Sequence, residues 1–278
     1  MSPLELLRLW YLDGRKMALW SDRSRRRLRL ETQVISQVLA SNLPRSCTHV
    51  RGHGGVKGTL RQIQRRMPQA KFVARFDIAA YYTSMRHDVI EAQVAKTDLD
   101  ADQRRLIADY LALPDSQGTG VGMVASGGLS PLLGALYLTP LDRRMDRLCK
   151  GKHLVHYVRY MDDIVLLAGT RWELRRAIAA LHEEIAALGL RLHRIKRFVG
   201  RTTHGFDFLG YQTRAGARLR PPPRDCAACV FVLAGFMSER ATGNAFGSTC
   251  CVGGVGTLAA STEWFAGKEA RNAHGTTF

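Results

Sequence analysis

Two adjacent aspartates, Asp162 and Asp163, interrupt a stretch of strand-like sequence, and this arrangement constrains the fold more than any other feature. The flanking runs, 155–161 and 164–167, are apolar and rich in β-branched and aromatic residues, which is typical of strands. A tight polar break between two strands predicts a β-hairpin with both carboxylates at its tip. Like charges on neighbouring residues repel, so the pair needs either a cationic partner or full solvation in an ordinary turn.

A third aspartate, Asp77, follows another strand-like run at 72–76. Packing does not explain a carboxylate at the end of a core strand. The alternative to a functional role is that Asp77 caps the N-terminus of a helix. If the two strands are neighbours in one sheet, the three carboxylates converge. Such a cluster can hold two Mg²⁺ ions, which prefer oxygen ligands, and two ions suit the transfer of a nucleotide with pyrophosphate as leaving group.

The tetrad Tyr160–Met161–Asp162–Asp163 is the centre of an ordered set of motifs that resembles a reverse transcriptase. Phe76–Asp77–Ile78 and Leu129–Ser130–Pro131 precede the tetrad, and Gly189–Lys196 and Phe206–Tyr211 follow it. More narrowly, the set resembles the bacterial reverse transcriptases related to group II intron and retron-type enzymes.

This resemblance implies an α+β fold with the fingers and palm of a right-hand polymerase. The palm would be a β-α-β-β-α-β sheet with helices on one face, and the thumb would be missing or degenerate. We expect an N-terminal helical and fingers region at 1–70, a palm with an interleaved fingers segment at 71–214, and an irregular tail at 215–278 in place of the thumb.

Hydrophobic periodicity adds local predictions. Apolar residues spaced by four and three positions predict an amphipathic helix over 171–188, which Gly189 would end. Residues 1–44, 59–67 and 86–111 also read as helical, and Ser130–Pro131 has the form of a helix start.

The resemblance also implies a catalytic role for four residues. Asp77, Asp162 and Asp163 would be the catalytic carboxylates and would bind Mg²⁺ or Mn²⁺, with the backbone carbonyl of Ile78 as a further ligand. Lys196 would lie near the triphosphate and act as a general acid toward pyrophosphate; an ordinary surface lysine is the alternative.

Nucleotide and primer contacts follow from the same resemblance. Tyr82 would place its ring beneath the incoming sugar and disfavour a 2′-hydroxyl, unless it is simply a core aromatic. The other predicted nucleotide contacts are Ser130, Lys57 and Arg61. The primer end would be held by a hairpin comprising Phe208, Leu209, Gly210 and Tyr211, whose rings would equally suit a core. Relatives often carry Gln-Gly where this chain has Ala125–Ser126.

The net charge of +17 indicates a polyanionic partner. The first 221 residues hold 37 basic and 20 acidic residues, whereas 222–278 hold four of each, so the excess lies in the body of the chain. A basic body suits nucleic acid, here an RNA template with a DNA primer and product, although a generally basic proteome would give the same excess. We find no apolar run long enough to span a membrane and no signal-peptide layout, so we expect a cytoplasmic protein.

The segment 222–278 departs from the pattern expected of a basic helical thumb. Four of the six cysteines fall there: Cys226, Cys229, Cys250 and Cys251. Adjacent cysteines fit paired zinc-ligand spacing poorly. A shifted reading frame that replaces the thumb explains the composition, and a divergent or truncated tail is the rival explanation.

The sequence therefore predicts an RNA-directed DNA polymerase that adds dNTPs to a primer 3′-hydroxyl. One alternative is a non-catalytic nucleic-acid-binding remnant of such an enzyme with a frame-shifted C-terminus. Another is a template-directed RNA polymerase. A free-standing enzyme of a mobile element or of phage defence is the expected setting.

Overall fold

The computed structural model describes residues 3–12 and 14–214, and this part of the chain contains nine strands and seven α-helices. The strands are β1 (Leu6–Leu12), β2 (Arg15–Trp20), β3 (Phe72–Ala79), β4 (His156–Tyr160), β5 (Asp163–Ala168), β6 (Arg191–Leu192), β7 (Phe198–Arg201), β8 (Phe206–Phe208) and β9 (Tyr211–Thr213). The helices are α1 (Asp22–Leu39), α2 (Gly55–Arg66), α3 (His87–Val94), α4 (Ala101–Ala112), α5 (Leu129–Tyr137), α6 (Thr139–Lys150) and α7 (Arg171–Ala187). The predicted irregular tail at 215–278, its four cysteines and the predicted loss of the thumb lie outside the described residues.

The central sheet has β3 in its middle and follows the predicted β-α-β-β-α-β order. Its strand order is β4-β5-β3-β6, β7 also pairs with β3, and every pairing is antiparallel. Helices α3 to α6 connect β3 to β4, the hairpin β4–β5 follows, and α7 leads to β6. This topology makes strands that are far apart in sequence direct neighbours at the centre of the sheet.

Alternation along the strands divides the core between the two faces of the sheet. Phe76 and Ile78 of β3 belong to the same core cluster as Leu133 of α5 and Leu181 of α7. Val73, which has the opposite parity along the strand, packs with residues of α2 and of the β8–β9 hairpin. Successive side chains of a strand point to opposite faces. The acidic residues of β3 and β5 therefore share the face that α5 and α7 do not cover.

The predicted helix at 171–188 is confirmed as α7, because local chemistry fixes both of its ends. Thr170 and Glu173 form a capping box at the first turn, which satisfies backbone N–H groups that have no partner within the helix. Gly189 follows with φ of +70°, a conformation that glycine adopts without steric cost.

The prediction of helix throughout 1–44 is wrong for its first half. Residues 6–12 and 15–20 pair as the antiparallel strands β1 and β2, and only then does α1 begin, with Ser21 as its N-cap. The sequence carries the signal for this hairpin, since Asp13–Gly14 is a favoured two-residue turn. Gly14 has φ of +72°, as such a turn requires.

The helix predicted over 86–111 is two helices rather than one. Its first part ends at Val94, and α4 begins after Asp100, which forms a capping box with Gln103. An aspartate whose side chain accepts a hydrogen bond from the backbone three residues later favours a new helix start over continuation.

None of the helices in the described ranges has the length and apolar character needed to cross a membrane.

Candidate active site

The hairpin β4–β5 presents the two adjacent aspartates, as the sequence predicts. Its register pairs Tyr160 with Asp163, which leaves Met161 and Asp162 as the two residues of the turn. Met161 has φ of +55°, a left-handed conformation that is unfavourable for a residue with a Cβ atom. The turn is therefore held in place by its surroundings rather than by local preference.

Asp77 lies beside this turn because β3 and β5 are neighbours. Asp77 pairs directly with Asp163 in the antiparallel register, and the backbone N–H of Ile78 donates to the carbonyl of Asp162 at 3.1 Å. Asp77 is inside β3, which continues to Ala79, so the helix-cap alternative is excluded. The structure thus brings the three aspartates together.

The three carboxylates impose an electrostatic cost on one another. Burial, and then the charges of Asp162 and Asp77, raise the pKa of Asp163 to about 7. Burial and the charge of Asp77 also raise the pKa of Asp162. The ammonium of Lys196 lies 3.8 Å from a carboxylate oxygen of Asp77. The charges of Lys196, Arg15 and Arg75 offset these rises in pKa only in part.

The donor set fits a divalent cation. Carboxylate oxygens are the ligands that Mg²⁺ prefers, and a bound cation would offset the repulsion that raises both pKa values. In the described part of the chain, no three His, Cys, Asp or Glu side chains are already arranged to hold an ion. Binding would therefore draw the three carboxylates inward.

A family assignment follows from the sequence profile. The profile of the family described as "Reverse transcriptase (RNA-dependent DNA polymerase)" matches residues 23–213, which include the whole site. This chain belongs to the reverse transcriptase family. No curated protein matches the sequence significantly.

Solved telomerase structures share the fold of this reverse transcriptase, with its fingers and palm. Telomerase from Candida albicans in complex with a fragment of telomeric RNA is 12% identical, with a TM-score of 0.52, over 73% of this chain and 38% of its own. Apo telomerase from Candida tropicalis is 10% identical, with a TM-score of 0.56, over 81% and 48%. A C-terminally truncated form of the latter is 11% identical, with a TM-score of 0.56, over 79% and 56%. This chain spans 38 to 56% of the length of these telomerases, and such low identity establishes the fold alone.

Tyr82 lies close to the carboxylates of the reverse transcriptase. Its side chain is buried, and its hydroxyl has no hydrogen-bond partner. Burial, followed by the charge of Asp162, raises its pKa well above the ordinary value. The ring therefore belongs to the core and lies near enough to Asp162 to feel its charge. Its contact with the sugar stays a prediction.

Tyr81 packs directly behind Tyr82. The two ring centroids are 4.8 Å apart, because the chain leaves the strand at Ala80, which has φ of +51°, and neighbouring side chains no longer alternate. On its other side Tyr81 meets Gly134 of α5, where an added Cβ would lie 2.7 Å from the Tyr81 hydroxyl oxygen. Tyr81 thus lies between Gly134 and Tyr82, and the close contact with Gly134 helps to fix the position of both tyrosine rings.

The prediction that Ser130 contacts the nucleotide is corrected by its position. Ser130 is fully buried, and its hydroxyl is bonded to the Tyr110 hydroxyl at 2.7 Å and to the Ser126 carbonyl at 3.2 Å. These bonds place it behind the site, where it fixes the first turn of α5.

The other predicted contacts lie on α2 and on the β8–β9 hairpin. Lys57 and Arg61 are exposed on α2. The predicted primer-binding residues form the β8–β9 hairpin, with Leu209 and Gly210 at its turn. Phe208 is fully buried in the core and Tyr211 is half-buried, so the turn and Tyr211 are the parts able to meet a primer. Their roles stay predictions.

Sequence reasoning missed the contribution of the N-terminal hairpin. Burial raises the pKa of both Asp162 and Tyr82, and the charge of Arg15 partly offsets each rise, so Arg15 lies near the site. The hairpin is held there by Ser126, whose hydroxyl accepts from the Ala18 N–H at 3.0 Å and donates to the Ala18 carbonyl at 3.2 Å. The Asp13–Gly14 turn signal and the departure from Gln-Gly at Ala125–Ser126 were the available clues.

Proposed function

We propose that this chain is an RNA-directed DNA polymerase that extends a primer 3′-hydroxyl with dNTPs on an RNA template. The observation that carries the proposal is the meeting of Asp77, Asp162 and Asp163 at the junction of β3 with the β4–β5 turn. All three side chains are half-buried, and packing does not explain three neighbouring acids in a member of the reverse transcriptase family.

The residues around the cluster would position the reactants. Asp77, Asp162, Asp163 and the Ile78 carbonyl would hold divalent cations, which supply an activated 3′-hydroxyl and charge stabilisation for the leaving pyrophosphate. Lys196, close to Asp77, would carry positive charge toward the triphosphate. Tyr82 would set the space beneath the sugar, and the β8–β9 turn would hold the primer end. Holding the reactants in line is itself a large part of the rate acceleration.

The lineage and organisation are part of the same proposal. The tetrad and the Ser130–Pro131 start of α5 support a bacterial reverse transcriptase of the group II intron and retron type, free-standing in a mobile element or in phage defence. We assign the fingers to 1–70 and the palm, with an interleaved fingers segment, to 71–214. The charge of +17 supports an RNA template and a DNA primer as partners.

The test is incorporation of dTTP on poly(rA)·oligo(dT) with Mg²⁺ and, separately, with Mn²⁺. Steady incorporation that requires the metal supports the polymerase. Binding of the primer–template without incorporation, under conditions in which a known reverse transcriptase is active, would favour the non-catalytic remnant.

Replacement of Tyr82 tests the predicted choice of sugar. In the Tyr82→Ala variant we expect the ratio of NTP to dNTP use to rise about 10- to 100-fold, which corresponds to roughly 1.4 to 2.7 kcal/mol of lost discrimination. The reason is that the ring adjoins Asp162 and would meet a 2′-hydroxyl. Competition between dTTP and UTP on one template measures the ratio. An unchanged ratio would instead support the RNA polymerase alternative.

The raised pKa of Asp163 predicts a pH-dependent response to Mg²⁺. The folded protein holds this proton up to a pKa of about 7, whereas the unfolded chain releases it near the ordinary value. This residue therefore lowers the free energy of unfolding as pH rises from about 4 to above 7 in the absence of metal. Because a proton competes with a cation, we expect the apparent affinity for Mg²⁺ to fall about fivefold between pH 7 and pH 6.

Thermal unfolding with and without Mg²⁺ at pH 6 and pH 8 measures this response. The increase in Tm caused by Mg²⁺ should be larger at pH 8. Equal increases at the two pH values would contradict the prediction.

A further inference from the structure

The backbone of Met161 is bonded on both sides by side chains from distant parts of the chain. Its N–H donates to Nδ1 of His49 at 3.0 Å, and its carbonyl accepts from Nη1 of Arg159 at 2.8 Å. Met161 is the residue with φ of +55° immediately before Asp162. Left-handed backbone of this kind persists only where its surroundings enforce it, and these two bonds provide the enforcement.

His49 is fixed in one tautomer by its second contact. Its Nε2 lies 3.0 Å from the Pro131 carbonyl, which can only accept, so Nε2 carries the hydrogen. Nδ1 is therefore the acceptor that the Met161 N–H needs. Burial and the charge of Arg159 lower the pKa of His49 to about 3, so the ring stays neutral at working pH and keeps this arrangement.

Arg159 is held as firmly as His49. Its guanidinium donates twice to Asp142 of α6, at 2.8 and 2.6 Å, and neither side chain is exposed to solvent. The segment that carries His49 is tied to the same residue, because the Thr48 N–H donates to the Arg159 carbonyl and the Arg159 N–H donates to the Ser46 carbonyl. The turn is thereby connected to the start of α5 through His49 and to α6 through Arg159.

We infer that His49 and Arg159 are positioning residues that clamp the Met161 peptide groups and so aim the Asp162 carboxylate at its cations. The inference rests on the proposed function of this site. Neither side chain needs to touch a substrate. If a clamp bond is lost, Met161 can relax toward an ordinary backbone conformation, and the carboxylate attached to the next residue moves with it. Partners that orient a metal ligand typically contribute 10- to 100-fold in metal affinity or activity.

Two replacements of His49 separate its two bonds. In the His49→Asn variant, the shorter amide can place an acceptor near the position of Nδ1, which keeps the Met161 bond and loses the Pro131 bond. In the His49→Gln variant, the longer amide reaches Pro131 and loses Met161. We expect His49→Gln to weaken Mn²⁺ binding and to lower kcat by about 10- to 100-fold, and His49→Asn to stay within about threefold of the parent chain.

His53 provides the matched control. It is a buried histidine of the same loop whose Nδ1 is bonded to the Cys47 carbonyl at 2.9 Å. His53→Gln removes that bond without touching Met161. Mn²⁺ binding should be measured by electron paramagnetic resonance without nucleotide, together with kcat, the KM for dTTP and the melting temperature. We expect His53→Gln to bind Mn²⁺ as the parent chain does.

The outcomes separate the clamp from the site itself. A His49→Gln variant that binds Mn²⁺ as well as His49→Asn, or a His53→Gln variant that loses as much affinity as His49→Gln, would overturn the clamp. Parent protein that shows neither incorporation nor Mn²⁺ binding dependent on Asp162 would overturn the proposed function, and the clamp with it. Weak binding confined to His49→Gln, at an unchanged melting temperature, supports the clamp.

Discussion

Replacing Asp162 with Asn is expected to reduce nucleotide incorporation at least about 1,000-fold, equivalent to roughly 4 kcal/mol of lost transition-state stabilisation. The substitution preserves the size of the side chain and removes its charge. Asp162 sits at the turn next to Asp77 and Asp163, where its carboxylate would be a ligand for both cations. Single-turnover incorporation on poly(rA)·oligo(dT) measures the loss directly, without interference from product release.

The fold should survive this change and even gain stability without metal. Burial and the charge of Asp77 raise the pKa of Asp162, so both destabilise its ionised form, and the neutral Asn side chain avoids that cost. A suitable control is Glu183→Gln, which neutralises a well-exposed carboxylate on α7 that pairs with Arg144. Activity of Asp162→Asn within tenfold of the control would refute the assignment of this cluster as the catalytic centre.

Replacing Arg159 with Met is expected to destabilise the protein by about 3 to 5 kcal/mol, the usual cost of removing one partner from a buried ion pair. Asp142 would be left charged and without its partner in the core. The Met161 carbonyl would also lose its donor. Urea unfolding followed by circular dichroism gives the change as a shift in midpoint at constant slope.

Two companion variants show whether the uncompensated charge is the cause. In the triple variant Arg159→Met, Asp142→Leu, Tyr157→Phe, the acid and the Tyr157 hydroxyl that donates to it at 2.5 Å are removed as well. We expect much of the lost stability to return, because apolar replacement of a whole buried network is often close to neutral. Arg144→Met breaks a partly exposed ion pair with Glu183 and Glu184 and should cost about 1 kcal/mol or less. If either the triple variant or Arg144→Met lost as much stability as Arg159→Met, the uncompensated charge of Asp142 would not be the cause.

The parts of the site that could be predicted from sequence were those encoded locally. The tetrad hairpin follows from strand-forming runs on both sides of a polar break, and α7 follows from its apolar spacing and from Gly189. The convergence of Asp77 with Asp162 and Asp163 needed one further assumption, that their strands are neighbours, and the register of β3 with β5 confirms it.

The supporting network could not be predicted in this way. His49 and Met161 are 112 positions apart, as are Cys47 and Arg159. A single histidine in a glycine-rich loop, or a single arginine in an apolar strand, has no pattern that reveals a partner. The burial of Ser130 beneath Tyr110 was hidden for the same reason. The N-terminal hairpin could have been predicted, because the sequence contains its Asp-Gly turn. The prediction was wrong because the apolar residues around that turn were interpreted as a helix.

The close contact of Gly134 with Tyr81 has an evolutionary consequence. A glycine codon becomes an alanine codon by a single base change, and the methyl group gained at this buried position would push against the Tyr81 hydroxyl and, through it, against the neighbouring ring. If Tyr82 discriminates between sugars as proposed, that preference is open to drift or selection at a site in the hydrophobic interior, without any alteration of Tyr82 itself.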